Sequence, residues 1–199
     1  MSGLYASLFL RDLDGNTNAV AWLEVFVDMA APRGGIIADL GCGPGHVVNH
    51  LSERGLTVIG YDISPGQIAE ARNAFPYLEF CVGDLGALEV PDSSLAGIVS
   101  RYSIIHLPPD QLGEVFAEWE RVLEPRAPVL VSFFGSTSAE NHGTPFDHKV
   151  TTAYELFPAT IAAHLREAGF TDVEIGTRPP PDGGRPFDQA TILALRSAG

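Results

Sequence analysis

Three acids, a run of glycines and one histidine combine residue types and spacings that could do chemistry. Asp39 closes the apolar run Ile36-Ile37-Ala38 and is followed by Leu40-Gly41-Cys42-Gly43-Pro44-Gly45-His46, with glycine at every second position. Glycine has no Cβ to hold a ligand off the backbone, and a helix opening after such a loop presents unpaired N–H groups. Asp62 stands 21 residues beyond Gly41, at the end of the β-rich run Leu56 to Tyr61. A carboxylate there can accept hydrogen bonds from both hydroxyls of a ribose. Gly83-Asp84-Leu85 repeats the placement after Leu78 to Val82. Asp84 could accept from an adenine amino group, with Leu85 as an apolar wall; the plainer reading is a Gly-Asp turn. His106 lies just past a fourth apolar run and titrates near neutral pH, which suits a general base or a histidine capping the next helix.

These residues need strands to carry them. The pattern predicts strands over 36–40, 56–61, 78–82, 94–99 and 129–134, with helices between them. Gly55 is placed to end the helix after the glycine loop. Ser64-Pro65-Gly66-Gln67 reads as a capping box with proline at the first helical position, for a helix to about Ala74. Pro108-Pro109 opens a helix to about Leu123 with Leu112, Val115, Phe116, Trp119 and Val122 as its apolar stripe. Pro158 starts another, ending at Gly169, and strands near 173–177 and 191–195 close the chain around a Pro/Gly-rich link at 179–186.

Two stretches lack this order. Residues 1–33 read as a polar arm and a helix from Asn16 or Thr17 to about Met29, with Val20, Leu23, Val27 and Ala30 in register. That region either packs on the sheet edge or serves as a lid, with Tyr5 or Arg11 reaching in. Residues 135–157 show no clear periodicity, as expected of a substrate-capping loop without sheet contacts of its own. It holds Asn141, His142, Asp147, His148 and Tyr154, and its two histidines are expected to be solvated rather than metal ligands.

With 199 residues the chain is expected to be a single domain with a full core. Net charge is −13, and Lys149 is the only lysine among twelve basic residues. So acidic a surface repels phosphate backbones, which disfavours nucleic acid as a partner and favours a small molecule. No apolar run reaches the ~18 residues of a membrane span and no signal peptide is visible, so no membrane partner is expected. Cys42 and Cys81 make no disulfide framework, which fits a reducing cytoplasm.

Four segments in order resemble the class I S-adenosylmethionine (SAM)-dependent methyltransferases, and within them the small-molecule type of the ubiquinone/menaquinone-methyltransferase-like superfamily. They are Asp39 to Gly45, Asp62-Ile63-Ser64, Gly83-Asp84-Leu85, and Arg101-Tyr102-Ser103-Ile104-Ile105-His106-Leu107. The resemblance covers about residues 34–197. It implies an α/β, Rossmann-like seven-stranded sheet, mostly parallel with an antiparallel last strand, and helices on both faces. It further implies in-line methyl transfer from SAM to a small acceptor, with S-adenosyl-L-homocysteine (SAH) as product. The cofactor residues carried over are Asp39, Gly41, Cys42, Gly43, Gly45, Asp62, Ile63, Gly83, Asp84, Leu85, Arg101 and Tyr102. Gly41 and Gly43 would approach the methionine part of SAM, Asp62 its ribose, Ile63 and Leu85 the two faces of the adenine, and Asp84 its amino group. The backbone near Arg101 would take the substrate's amino end. His106 is the expected base; Tyr102 and His142 are expected substrate contacts. Arg101 suits an acidic substrate group or one of the many surface acids. No Asn-Pro-Pro-Tyr or Asp-Pro-Pro-Tyr follows strand four and no Asp-Asn pair follows strand five, so metal-independent transfer is expected, by a monomer or homodimer. Two alternatives stand beside this reading: an NAD(P)-dependent oxidoreductase, against which His46 replaces the third glycine of G-x-G-x-x-G, and a non-catalytic SAM-binding protein.

Overall fold

The computed structural model describes residues 17–148, 151–180 and 185–199. The arm with Tyr5 and Arg11, the cap residue Asn16 and Lys149 lie outside the described residues. Seven strands form one sheet in the order β3-β2-β1-β4-β5-β9-β8: β1 is Ile36–Leu40, β2 Thr57–Asp62, β3 Glu79–Val82, β4 Leu95–Arg101, β5 Pro128–Gly135, β8 Phe170–Arg178 and β9 Asp188–Arg196. The first five are parallel; β9 runs antiparallel to both β5 and β8 and is inserted between them. The expected sheet is therefore present, and its last strand is interior.

Helix α1 (Thr17–Ala30), α2 (His46–Ser52) and α3 (Pro65–Ala74) pack one face of the sheet, where Leu23, Phe26, Val48, Leu51, Ile68 and Val99 share a core. Helix α4 (Leu112–Val122) and α5 (Pro158–Glu167) pack the other face through Phe116, Trp119, Ile161 and Leu165. The stripe expected on α4 is buried in full. On α1 the apolar spacing holds, but it crosses the interior strands β5 and β9 rather than the sheet edge, because Leu23, Phe26 and Val27 must cover the apolar middle of the sheet. Among the described residues no helix is long and apolar enough to cross a membrane.

The 135–157 segment corrects another expectation. Its described residues form a hairpin, β6 (Pro145–Asp147) with antiparallel β7 (Thr152–Tyr154). The return leg rejoins the end of β5 through Ser136 N–H to Leu156 O at 3.0 Å and Leu156 N–H to Phe134 O at 3.2 Å. Strands of three residues are too short to show a period, which is why the pattern looked structureless.

Candidate functional site

Between β1 and β4 the order of strands reverses, so the loops leaving these strands part and open a crevice at their carboxyl ends. The glycine loop lies there. Gly41 and Cys42 N–H both donate to Tyr61 O, at 2.8 and 2.9 Å, pinning the loop to the end of β2. Gly43 N–H donates to Asp62 Oδ2 and Ser64 N–H to Asp62 Oδ1, each at 2.9 Å. Asp62 thus ties the glycine loop to the start of α3, and each oxygen keeps lone-pair capacity for a hydroxyl donor. The capping box forms only by half: Ser64 Oγ accepts from Gln67 N–H at 3.4 Å, but Ser64 N–H is committed to Asp62.

The glycines serve different ends. A Cβ on Gly41 would lie 2.2 Å from Ser103 Cβ, and one on Gly45 would lie 2.6 Å from the Phe80 ring. These two positions therefore owe their glycine to packing, and both have positive φ, of 76° and 87°. Among the described residues a Cβ on Gly43 meets nothing closer than Gln67 Oε1 at 3.8 Å, which leaves the loop open there. Ser103 completes the clasp from the β4 side, donating to Leu40 O at 2.9 Å with Ser100 Oγ at 2.5 Å.

Two buried oxygens at this loop, Asp39 Oδ2 and Gln67 Oε1, have no hydrogen-bond partner among the described residues. Burial drives the Asp39 pKa up to about 7, against the pull of the Arg101 charge and with the Asp62 charge adding to the rise. Burial likewise pushes the Cys42 thiol far above its ordinary range, so it is no nucleophile. Beside Asp62, Ile63 is 72% exposed although large and apolar. Asp84 is exposed and accepts from Gly86 N–H through Oδ1 at 2.8 Å, a turn that uses one of its two oxygens. Leu85 is half-buried, and its carbonyl accepts from Trp119 Nε1 at 2.8 Å. Gly83 N–H, donating to Asp62 O at 3.1 Å, sets the β3 tip against that of β2. An open loop, orphaned acceptors, a carboxylate with spare lone pairs and a bare apolar side chain fit a nucleoside with a polar, charged tail.

Across the crevice, Arg101 is buried, with its guanidinium 5.7 Å from the Tyr102 ring centre. Tyr102 has φ 55°, a left-handed backbone for a bulky residue, and marks this turn as locally strained. Its ring lies 4.9 Å from Phe134, which leads to Phe146 and Phe187 at 5.9 and 6.0 Å. His106 sits in a 3-10 turn ahead of α4 and does not cap that helix. Its Nδ1 lies 3.2 Å from Thr152 O, and since a carbonyl only accepts, Nδ1 carries the proton and Nε2 the lone pair. Burial holds its pKa below the ordinary 6.5, partly offset by that carbonyl and by Asp62.

The loop histidines are not solvated as expected. His148 is buried against Phe134 and 5.0 Å from the His106 ring; burial, then the charges of His106 and Arg185, lower its pKa to about 4 against Asp147. His142 is half-buried and accepts from Phe157 N–H at 3.0 Å, just ahead of α5. Sequence reasoning missed Ser103, Gln189 and this aromatic cluster, whose members come from segments far apart in the chain.

A family described as "Methyltransferase domain" matches residues 37–126. A trans-aconitate 2-methyltransferase of Methylobacterium nodulans is 35% identical over 102 residues, covering 49% of this chain and 39% of that protein. An arsenite methyltransferase of Halobacterium salinarum is 31% identical over 167 residues, covering 78% of this chain and 41% of that one. The chain thus spans about two fifths of the length of these curated relatives. A crystal structure of an S-adenosylmethionine-dependent methyltransferase from Mesorhizobium loti superposes with a TM-score of 0.74 at 22% identity, over 92% of this chain and 100% of that one. The matched segment runs from β1 through the glycine loop, β4 and α4, and the sheet order continues the likeness to the last strand: residues 37–126 match the methyltransferase-domain family, and the chain has the fold of the S-adenosylmethionine-dependent methyltransferases.

Proposed function

We propose that this chain transfers a methyl group from SAM to a small-molecule acceptor without a metal. The carrying observation is the Asp62 carboxylate, which ties Gly43 to Ser64 at the β1–β2 edge of the crevice beside the bare Ile63. In this reading Asp62 accepts the ribose hydroxyls, while Ile63 and Leu85 flank the adenine and Asp84 Oδ2 accepts from its amino group. Gly41, Gly43 and Gly45 shape the loop around the methionine part, and Asp39 and Gln67 offer their unused oxygens to its polar groups. Gly83, Cys42, Arg101 and Tyr102 close the walls. SAM, when bound, supplies a methyl on a positively charged sulfur, which an oxygen or nitrogen can displace in line.

The chain's own contribution is position and dryness. His106 Nε2 takes the acceptor's proton, a role supported by its Nδ1 bond to Thr152 O and by a depressed pKa that keeps the ring neutral at pH 7. Tyr102, Phe134 and Phe146 form the apolar side of the acceptor space, and the 135–157 hairpin covers it. The described residues act as one domain. A cytoplasmic monomer or homodimer, with no nucleic-acid or membrane partner, accords with the acidic charge and two free thiols. Calorimetry with SAH and with NAD tests the reading. Binding of SAH alone, and SAH release from SAM with an acceptor panel, is the expected result; NAD binding as tightly as SAH would overturn it.

A further inference from the structure

Beside the crevice, on the face covered by α1, lies a cleft of about 150 Å³ between β4, β5, β9 and β8. Its position is fixed by backbone contact: a Cβ on Gly176 of β8 would lie 2.5 Å from the Trp22 indole of α1, so only glycine lets the helix close this wall. Ser132, Thr191 and Tyr102 line it with hydroxyls, and Arg101 and Arg178 with guanidinium groups. Gln189 Oε1 accepts from both Tyr102 Oη, at 2.7 Å, and Arg178 Nη2, which holds the half-buried Arg178 in place and leaves the Gln189 amide NH₂ as a donor. Ser132 Oγ and Thr191 Oγ1 are 3.0 Å apart.

The chemistry of this cleft runs against the rest of the molecule. The chain carries 25 acidic and 12 basic residues, yet two arginines and no carboxylate line the cleft among the described residues. A planar guanidinium oriented by an amide, facing hydroxyl donors, suits a carboxylate or phosphate oxygen pair. Tyr102 belongs to this cleft and to the aromatic cluster near His106, so a molecule anchored here extends towards the proposed base.

We propose that the cleft is the acceptor's anion subsite: Arg178, held by Gln189, binds a carboxylate or phosphate group of the methyl acceptor, and Arg178 is a specificity-determining residue. The inference rests on the methyltransferase reading and names its substrate class. The test titrates succinate, inorganic phosphate and uncharged succinamide into the SAH-loaded protein, and repeats this with Arg178→Gln and Arg178→Lys. Succinate or phosphate should bind and succinamide should not, with the stronger of the two anions telling which group the acceptor carries. Arg178→Gln should weaken the anion by about tenfold or more, Arg178→Lys by less, and SAH affinity should stay unchanged in both. Equal binding of succinamide, no anion binding, or anion binding untouched in Arg178→Gln would overturn the proposal. A loss of SAH affinity in that variant would instead give the cleft to the cofactor's own carboxylate and overturn it too. If SAH fails to bind the wild-type protein the methyltransferase reading falls by itself, and the same titrations without SAH still decide whether the cleft takes an anion.

Discussion

Around β1, β2 and β3 the crevice is made of backbone, whereas across β4, β5, β9 and β8 it is made of side chains. On the first side, amides of Gly41, Cys42, Gly43 and Ser64 are aligned on Tyr61 O and Asp62, and glycine is demanded by contact at two positions. On the second, Tyr102, Phe134, His106, His148, Gln189 and Arg178 meet from five separate segments. Backbone can recognise what every member of a family shares, because its groups are the same whatever the side chains. Side chains can be exchanged without disturbing the sheet, which is why the proposal above puts the choice of acceptor on the second side.

The contrast can be broken hardest at Gly41. Gly41→Ala puts a Cβ 2.2 Å from that of Ser103 on a backbone at φ 76°, and should cost roughly 3–5 kcal/mol of stability along with most SAH binding. Thermal unfolding measures it, at about 2–4 °C per kcal/mol for a chain of this size. Adding Ser103→Gly should recover part of the loss; a variant as stable as wild type would mean the clasp is not there.

Each side also buries one group against its charge, with opposite signs. Asp39 titrates near 7 when folded against an ordinary 3.8, so the folded chain holds the extra proton between those values. Its contribution to stability is present at low pH and lost as pH rises through about 7. His148 titrates near 4 against 6.5, so there the unfolded chain holds the proton and stability is lost as pH falls from 6.5 to about 4. Asp39→Asn should therefore stabilise by about 2–4 kcal/mol at pH 8, with the gain fading towards pH 4. His148→Phe should help by less, about 1–2 kcal/mol, near pH 4 and not at pH 8. Unfolding curves across this range, read as differences from wild type, check both; a gain at the wrong end of the scale would show that the burial has been misassigned.

The same division explains what the sequence revealed. The places of Asp39 to Gly45, Asp62 and Asp84 were legible because each lies within a few residues of its own strand end, where spacing alone puts it. The seven strands were legible by period, and β8 and β9 extend beyond the expected bounds because pairing with each other and with β5 continues into polar residues. Ser103 reaching Leu40 O, and Gln189 meeting Tyr102, join positions 63 and 87 apart, and no local pattern encodes such contacts. His148 looked solvated because its neighbours on the chain are polar; Phe134, Phe146 and His106 bury it. Asp62 was expected to face a ribose, but its structural work on Gly43 and Ser64 became visible only in three dimensions.

One titration bears most directly on the claim that cofactor and acceptor are held by separate sides of the crevice. SAH is titrated by calorimetry into wild type, Asp62→Ala and Arg178→Gln under one buffer, with melting curves to establish that each variant is folded. Asp62→Ala removes a charged acceptor whose hydrogen bonds contribute ~1.5–3 kcal/mol each, so SAH affinity should fall tenfold or more, while Arg178→Gln leaves it unchanged. A folded Asp62→Ala protein that binds SAH as wild type does, or an Arg178→Gln protein that loses it equally, would contradict the account.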